Sequence, residues 1–335
     1  MTDTVAARPT PLSRVWSGSK IIAEDLDGGE LADVLELHSD ASAWWVLRRR
    51  PDEVGPQLRD VAGALDLDRV AIADLVAEDR RAKFEQLGHS RLVITNVVTV
   101  DQAAAELSVH PTSMVVTDRA LICLTGDDAG GLNVPQLLAR GHAVLTDGGI
   151  SRALQLILGE VINTYEDAVE WLEDASDQLA DALFEERPLN HDEQLRAFRL
   201  RSVLSQLRRL TDPMRMVMTE LADTYADSDV GSARQWNALA EKHYRVANAA
   251  DALREALSSV FDTSLALADL RMNMIMKKLT GWAAVIAVPT LVTSFVGMNV
   301  GFPLSGTVSG FWLYSTVMLA AIVVLYLVFN RKGWL

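Results

Sequence analysis

Cysteine is almost absent from this chain: Cys123 is the only one in 335 residues, which excludes an internal disulfide, and no Cys/His cluster with zinc spacing occurs. The signatures of catalysis are missing too. Six histidines, His38, His89, His110, His142, His191 and His243, are scattered without an HExxH or paired spacing, and there is no GxSxG elbow. The turn "TGDDAGG" lacks the Lys-Ser/Thr of a phosphate-binding loop, and no strand-GxGxxG-helix unit occurs, so no organic cofactor is expected. Cys123 lies in an apolar, strand-like run, where a buried structural thiol is expected rather than a nucleophile. These absences predict a protein that is not an enzyme.

Positive charge is also scarce. The 31 basic residues stand against 45 acidic ones, a formal charge of −14 that disfavours a nucleic-acid partner and suits cations. At the N-terminus, "MTDTVAARPTPLSRVW" has an early Asp, two prolines and no apolar run, unlike a secretory signal; that end is expected to stay in the cytoplasm.

The largest absence lies at the other end. Between Lys278 and Arg331 there are 52 consecutive residues without a charged side chain. That is too long for one membrane crossing, which takes ~20 apolar residues, so the segment must fold back. Its break is "NVGFPLSGTVSG", Asn299 to Gly310, between the apolar runs Leu279–Met298 and Phe311–Phe329. Arg271, Lys277 and Lys278 precede the first run, Arg331 and Lys332 follow the second, and the loop has no cation, so both termini are expected on the cytoplasmic side.

Two helices cannot enclose a water-filled path. Either they anchor the chain in lipid, or several copies form a ring. Stepping back from Asn299 at helical spacing gives Thr290, Ala287, Ala283, Thr280, Met276 and Asn273, roughly one face of small or polar residues. Such hydroxyls either satisfy nearby carbonyls and tighten helix packing or leave room along an axis. The second run, flanked by aromatics at both ends, reads as lipid-facing.

Ahead of the membrane run, Ser232 to Thr280 contains neither Gly nor Pro over 49 residues and predicts a helix of roughly 70 Å leading into the first span. Its apolar positions include Leu239, Tyr244, Val246, Leu253, Leu257, Val260, Phe261, Leu265, Leu267 and Leu270. Ala153–Glu186 holds ten acidic residues and no basic one, with a heptad-like stripe of Tyr165, Val169, Leu172, Ser176, Leu179 and Leu183; the following "EQLRAFRLRSVLSQLRRL" is basic. An antiparallel hairpin of opposite charge is expected, its acidic face either simply solvated or concentrating divalent cations. "AWWVLR", "SRLVITNVVTV", "SMVVTD" and "ALICLT" read as strands, with Val54–Leu65 and Val70–Ala77 as helices.

The expected layout is therefore an N-terminal extension over 1–40, a cytoplasmic α+β domain, sandwich-like, over 41–150, a helical hairpin over 151–231 and a stalk helix over 232–280. The first transmembrane helix follows at 279–298, an outer loop at 299–310, the second transmembrane helix at 311–329 and a basic tail at 330–335.

The Gly-Met-Asn triplet at Gly297–Asn299 before a short outer loop, the stretch "RMNMIMKKLTGWAAVIAVPTLVTSFVGMN" and the ending "FNRKGWL" resemble the CorA family of magnesium channels. Upstream, "LDLDRVAIADLVAEDRRAKFEQLGHSRLVIT", with Asp74 and a Lys-x-Glu at Lys83–Glu85, resembles a further part of the family. The resemblance implies a homopentameric funnel in the cell membrane whose partners are lipid, its own copies and divalent cations. It also implies Mg2+ as both cargo and regulatory ion, bound at subunit interfaces that favour closure. Carried over by position, Gly297, Met298 and Asn299 form the outer selectivity ring, Thr290 a polar ring within, and Met276, Leu279 and Asn273 the cytoplasmic constriction. Mg2+ holds its waters tightly, so a neutral amide oxygen at Asn299 would meet the hydrated ion without stripping it. The outer loop has no acidic residue and the tail only two cations, which departs from the family's pattern. Zn2+, Co2+ and Ni2+ remain alternative cargoes, the related ZntB-type zinc transporters sharing the architecture with a variant triplet; a non-conducting, membrane-anchored regulator is the alternative from another class.

Overall fold

The computed structural model describes residues 12–48, 51–77, 81–126, 131–184, 187–227, 230–298, 301, 304 and 306–334. The chain divides into two compact units, one made of residues up to Leu179 together with Asn190–Ser258, the other of Ala180–Leu189 together with Ser259–Leu335.

The first unit is built on a seven-stranded mixed sheet. Its strands are β1 (Ser13–Ser17), β2 (Lys20–Glu24), β3 (Ser42–Arg48), β4 (Lys83–Leu87), β5 (Ser90–Asp101), β6 (Glu106–Val116) and β7 (Ala120–Thr125), in the order β2-β1-β3-β7-β6-β5-β4. Only β3 and β7 run parallel, Trp45 opposite Ile122 and Val46 opposite Cys123; the other pairs are antiparallel. Residue alternation separates the two faces of this sheet. Trp45, Leu47, Leu92, Ile94, Val115, Ile122 and Leu124 pack with Leu31 and Leu35 of α1 (Gly28–Leu37), Leu58 and Val61 of α2 (Pro51–Ala64) and Leu75 of α3 (Arg69–Val76). Asp27 starts α1 through a reciprocal capping box with Glu30, and the Asp68 carboxylate caps α3 by accepting from the Val70 amide.

The sheet begins earlier than the sequence suggested. β1 pairs with β3, Ser13 opposite Trp45, so β1, β2 and α1 belong to the domain although they fall inside the stretch read as an extension over 1–40. β4 and the first half of β6 were also not anticipated; "ELSVH" does alternate polar and apolar, but over too few residues to be singled out, and it pairs residue for residue with the far end of β5.

The other face meets helices. After α4 (Val134–Arg140), α5 (His142–Phe184) is interrupted at Gly149, whose φ of 60° and ψ of −154° only glycine adopts readily. Beyond it, Tyr165, Val169, Leu172, Ser176 and Leu179 are buried, the stripe expected from the heptad spacing. α6 (His191–Thr224) starts on a capping box of Asn190 with Glu193. It buries Leu200, Leu204, Leu207, Met214, Met218 and Leu221. The Thr95 hydroxyl on β5 lies 3.6 Å from the Met214 sulfur, and the Tyr165 hydroxyl donates to the Asn96 carbonyl at 2.7 Å, pinning α5 and α6 to the sheet.

The long helix α7 runs without a break from Val230 to Val296, 67 residues, and α8 follows from Val308 to Arg331. In the first unit α7 buries Trp236, His243, Val246, Ala250, Leu253 and Leu257 at steps of three, four and seven, a coiled-coil seam. In the second unit, α7 and α8 are each long and apolar enough to cross a membrane. Leu291, Phe295, Trp312 and Leu319, among others, stand exposed along them, the inverse of a water-soluble core helix. The architecture is the one expected from sequence: a mixed α+β domain, a long helix and two apolar C-terminal helices.

Candidate functional site

The C-terminal half of α7 is where the sequence placed an ion path. Asn273, Met276, Leu279, Thr280, Ala283, Ala287 and Thr290 are all exposed in the single chain. The covered positions of the same stretch are Gly281 and Val285, on a different flank, with Ala284, Val288 and Val292 partly covered. At 100° per residue Gly281 and Val285 lie roughly a quarter turn or more from the seven positions, while Ala284 sits beside Asn273 and Thr280 at the border of the two. The seven positions thus share a flank that nothing within the subunit covers.

Two hydroxyls on this helix are already committed as donors. Thr290 donates to the Ile286 carbonyl at 2.9 Å, and Thr293 to the Pro289 carbonyl at 2.8 Å and the Thr290 carbonyl at 3.1 Å. Each oxygen keeps its lone pairs for an outside donor. Pro289 contributes no amide, so the Val285 carbonyl loses its helical partner.

At the upper end the helix closes through Gly297, whose amide still reaches Thr293 at 2.9 Å, and Met298, whose amide reaches the Phe295 carbonyl at 3.3 Å as the last turn tightens. A Cβ on Gly297 would lie 3.2 Å from the Thr293 carbonyl oxygen. Met298 is exposed, and Asn299 lies outside the described residues. Leu304, at φ 64°, accepts at its carbonyl from the Thr307 amide at 3.3 Å and hydroxyl at 2.8 Å. Thr307 in turn caps α8 by accepting from the Gly310 amide at 3.1 Å. Gly310 is buried beneath Leu304.

Lower on α7, within the first unit, polar and aromatic groups fasten the helix to its neighbours. Asp251 receives Arg208 at 2.8 Å and Arg215 at 3.1 Å, both from α6, and Lys242 reaches Glu166 of α5 at 2.7 Å. Trp236 stacks on Tyr225 at 4.9 Å between ring centres and donates to the Ser151 hydroxyl at 3.1 Å. The buried His243 ring contacts the Thr211 carbonyl through Nε2 at 3.0 Å and meets Tyr165 edge-on. Burial lowers the His243 pKa below its ordinary value, and pushes the Tyr165 hydroxyl up to about 12. Cys123 is wholly buried and its thiol pKa rises for the same reason. The resemblance-bearing Lys83 binds Asp74 at 2.8 Å and Glu85 at 3.4 Å, which raises the ammonium pKa despite partial burial.

Sequence reasoning passed over Arg215 and Asp251, and read Arg208 only as one cation of a basic stretch. The seven-residue spacing of the two arginines, which puts both on one face of α6, was the available signal. Among the described residues, no cluster of three or more His, Cys, Asp or Glu side chains is placed to hold a metal ion within one chain.

Comparisons with two known proteins and one family model frame this geometry. A curated relative, the cobalt/magnesium transport protein CorA of Methanocaldococcus jannaschii, is 29% identical over 196 residues, which span 57% of this chain and 61% of that protein. The complete structure of the M. jannaschii CorA magnesium transporter superposes with a TM-score of 0.74 at 20% identity, covering 97% of this chain and 99% of that one. The full-length CmaX protein superposes at 0.70 with 22% identity, covering 96% of each chain. The model of the CorA-like Mg2+ transporter protein family matches residues 40–331, from the parallel strand pair to the end of the second apolar helix. The chain therefore belongs to the CorA-like Mg2+ transporter family, a family of transporters and not of enzymes.

Proposed function

We propose that this protein is a homopentameric, Mg2+-gated channel that carries Mg2+ across the cell membrane, both termini facing the cytoplasm. The observation that carries the reading is the uncovered flank of α7 from Asn273 to Thr290, which leads without a helix break to Gly297 and Met298. Copies arranged about an axis would bring that flank together.

Mg2+ dehydrates reluctantly, so a conducting path should meet its water shell rather than replace it. The waters of a hydrated cation point their hydrogens outward and need acceptors. Thr290, its own proton given to Ile286, offers one on each copy, and Asn299 would offer an amide oxygen above it. The carbonyl end of α7 adds partial negative charge near Gly297. Met276 and Leu279 supply apolar rings below, where constriction closes a path by excluding water. The regulatory ion would bind between subunits. The acidic face of α5, Asp167, Glu170 and Asp174, would concentrate cations nearby.

Flux of Mg2+ into proteoliposomes tests the reading. Wild-type protein should conduct and Asn299→Ala should not, with Thr290→Val conducting several-fold more slowly; equal flux in all three would overturn it. An anchor that does not conduct would show no flux in any. Co2+ is the favoured second cargo, since the curated M. jannaschii relative is named for both ions; competition among Mg2+, Co2+, Zn2+ and Ni2+ ranks them. Protease resistance of the purified protein should rise in millimolar Mg2+ if binding between subunits closes the channel.

A further inference from the structure

The end of α8 is more tightly built than a frayed terminus. Gly333, at φ 67°, donates to the Asn330 carbonyl at 3.1 Å, and the Trp334 amide reaches back to the Phe329 carbonyl at 2.9 Å. This is a Schellman closure, and the apolar contact that accompanies such closures is present: the Trp334 and Phe329 rings stack at 5.5 Å and 13°. The motif fixes Arg331 and Lys332 in place at the last turn, with an aromatic ring beside them.

A second pair of cations lies on α7. Lys277 and Lys278 stand one turn before the covered Gly281 and two before Val285, on that flank and not on the flank of Met276 and Thr280. From Lys278 up to Gly297 and from Gly310 down to Arg331 the helices rise by similar amounts, about 30 Å each. The two pairs therefore return to one level, at the same edge of the apolar hairpin. All four side chains are exposed, and none has an ion-pair partner among the described residues. Trp282, more than half exposed, lies one turn above Lys278.

We propose that Lys277, Lys278, Arg331 and Lys332 form a docking belt for anionic phospholipid headgroups, with Trp282 and Trp334 seated at the interface beside it. The inference rests on the reading of α7 and α8 as membrane-crossing helices and goes beyond ion transport. Ammonium and guanidinium groups donate to phosphate oxygens with charge assistance, and their apolar stems lie along the acyl boundary while the heads reach the phosphate plane. Unpaired cations without competing carboxylates favour a lipid carrying net negative charge over a zwitterionic one. Trp rings prefer this depth because one edge is apolar and the other can donate.

The test uses the full-length protein in vesicles of phosphatidylcholine with a minor share of phosphatidylglycerol, and spin-labelled forms of both lipids. Electron paramagnetic resonance reports each lipid's relative affinity for the protein surface. Wild-type protein should prefer phosphatidylglycerol by about fivefold at low salt, the scale of one cation's attraction to an anionic surface, with the preference shrinking as salt rises. K277Q/K278Q/R331Q/K332Q should bring the ratio close to one, while K277R/K278R/K332R should keep it. Exchanging chloride for inorganic phosphate at constant ionic strength should leave it unchanged. Equal affinity of the wild type for both lipids, an undiminished ratio in the glutamine variant, or erasure by inorganic phosphate would overturn the proposal. Failure of the wild type to insert into vesicles at all would instead overturn the membrane reading beneath it, and ion flux is a separate readout from either.

Discussion

The turn that joins α7 to α8, together with the first turn of α8, holds three described glycines in three different situations, and one methyl group at each should cost three different amounts. At Gly310 a Cβ would sit 2.2 Å from the Leu304 carbonyl oxygen and 3.1 Å from both its carbonyl carbon and its Cβ. Relaxed contact is near 3.5 Å, so the backbone at Leu304 must retreat by about 1 Å or more. That carbonyl holds Thr307 by two bonds, and Thr307 caps the helix, so the shift loosens the cap as well. Overpacking of this kind costs about 1–3 kcal/mol and a lost cap about 1 kcal/mol, offset by up to about 1 kcal/mol because alanine favours the helix. Gly310→Ala should therefore destabilise by roughly 1–3 kcal/mol net. Gly306 has open space but a φ of 74°, so Gly306→Ala should cost about 1–2 kcal/mol from backbone strain alone. Gly301 meets nothing within 4 Å and has no positive φ, so Gly301→Ala should stay within about 0.5 kcal/mol. Unfolding in mixed micelles, titrated with a denaturing detergent, measures all three, and Mg2+ flux should fall for Gly310→Ala before the other two. Gly310→Ala as stable as Gly301→Ala would refute the close approach and with it the geometry of the turn.

The remaining expectations concern the first unit. His243 has a folded pKa below its ordinary value of 6.5, so between those two values the unfolded chain binds a proton that the folded chain does not. Stability should therefore fall as pH drops below 6.5 and stop falling below the folded value; His243→Gln should flatten that part of a melting-temperature profile, and an unchanged slope would count against it. Cys123, wholly buried with its thiol pKa raised, should resist a thiol reagent at pH 8 in the native state and react at once in denaturant. Rapid labelling of the native protein would contradict its place between β6 and β3.

Much of this protein could be read along the chain. The 52 uncharged residues are long enough for two crossings and carry nothing that opposes them, because charge in hydrocarbon is costly and none lies within the run. The Gly- and Pro-free stretch required a long helix because nothing in it interrupts hydrogen bonding from one turn to the next, and the triplet with its flanking motifs identified the family. The seam of α7 was only half legible. Tyr244, Leu265 and Leu270 belong to the apolar pattern and are exposed, whereas Trp236, His243 and Ala250 were not in it and are buried.

What the chain order determined by itself, then, is the set of local commitments: apolar length, helical continuity, capping residues and the family signature. What the tertiary structure alone decided is which side of each element is covered. It brought β3 beside β7 across more than seventy residues, added β1 and β2 to the sheet's edge, placed Asp251 between two arginines and left the flank from Asn273 to Thr290 open. The physical reason is that helicity and membrane insertion depend on a residue and its near neighbours, while burial depends on a partner surface that distant segments must supply.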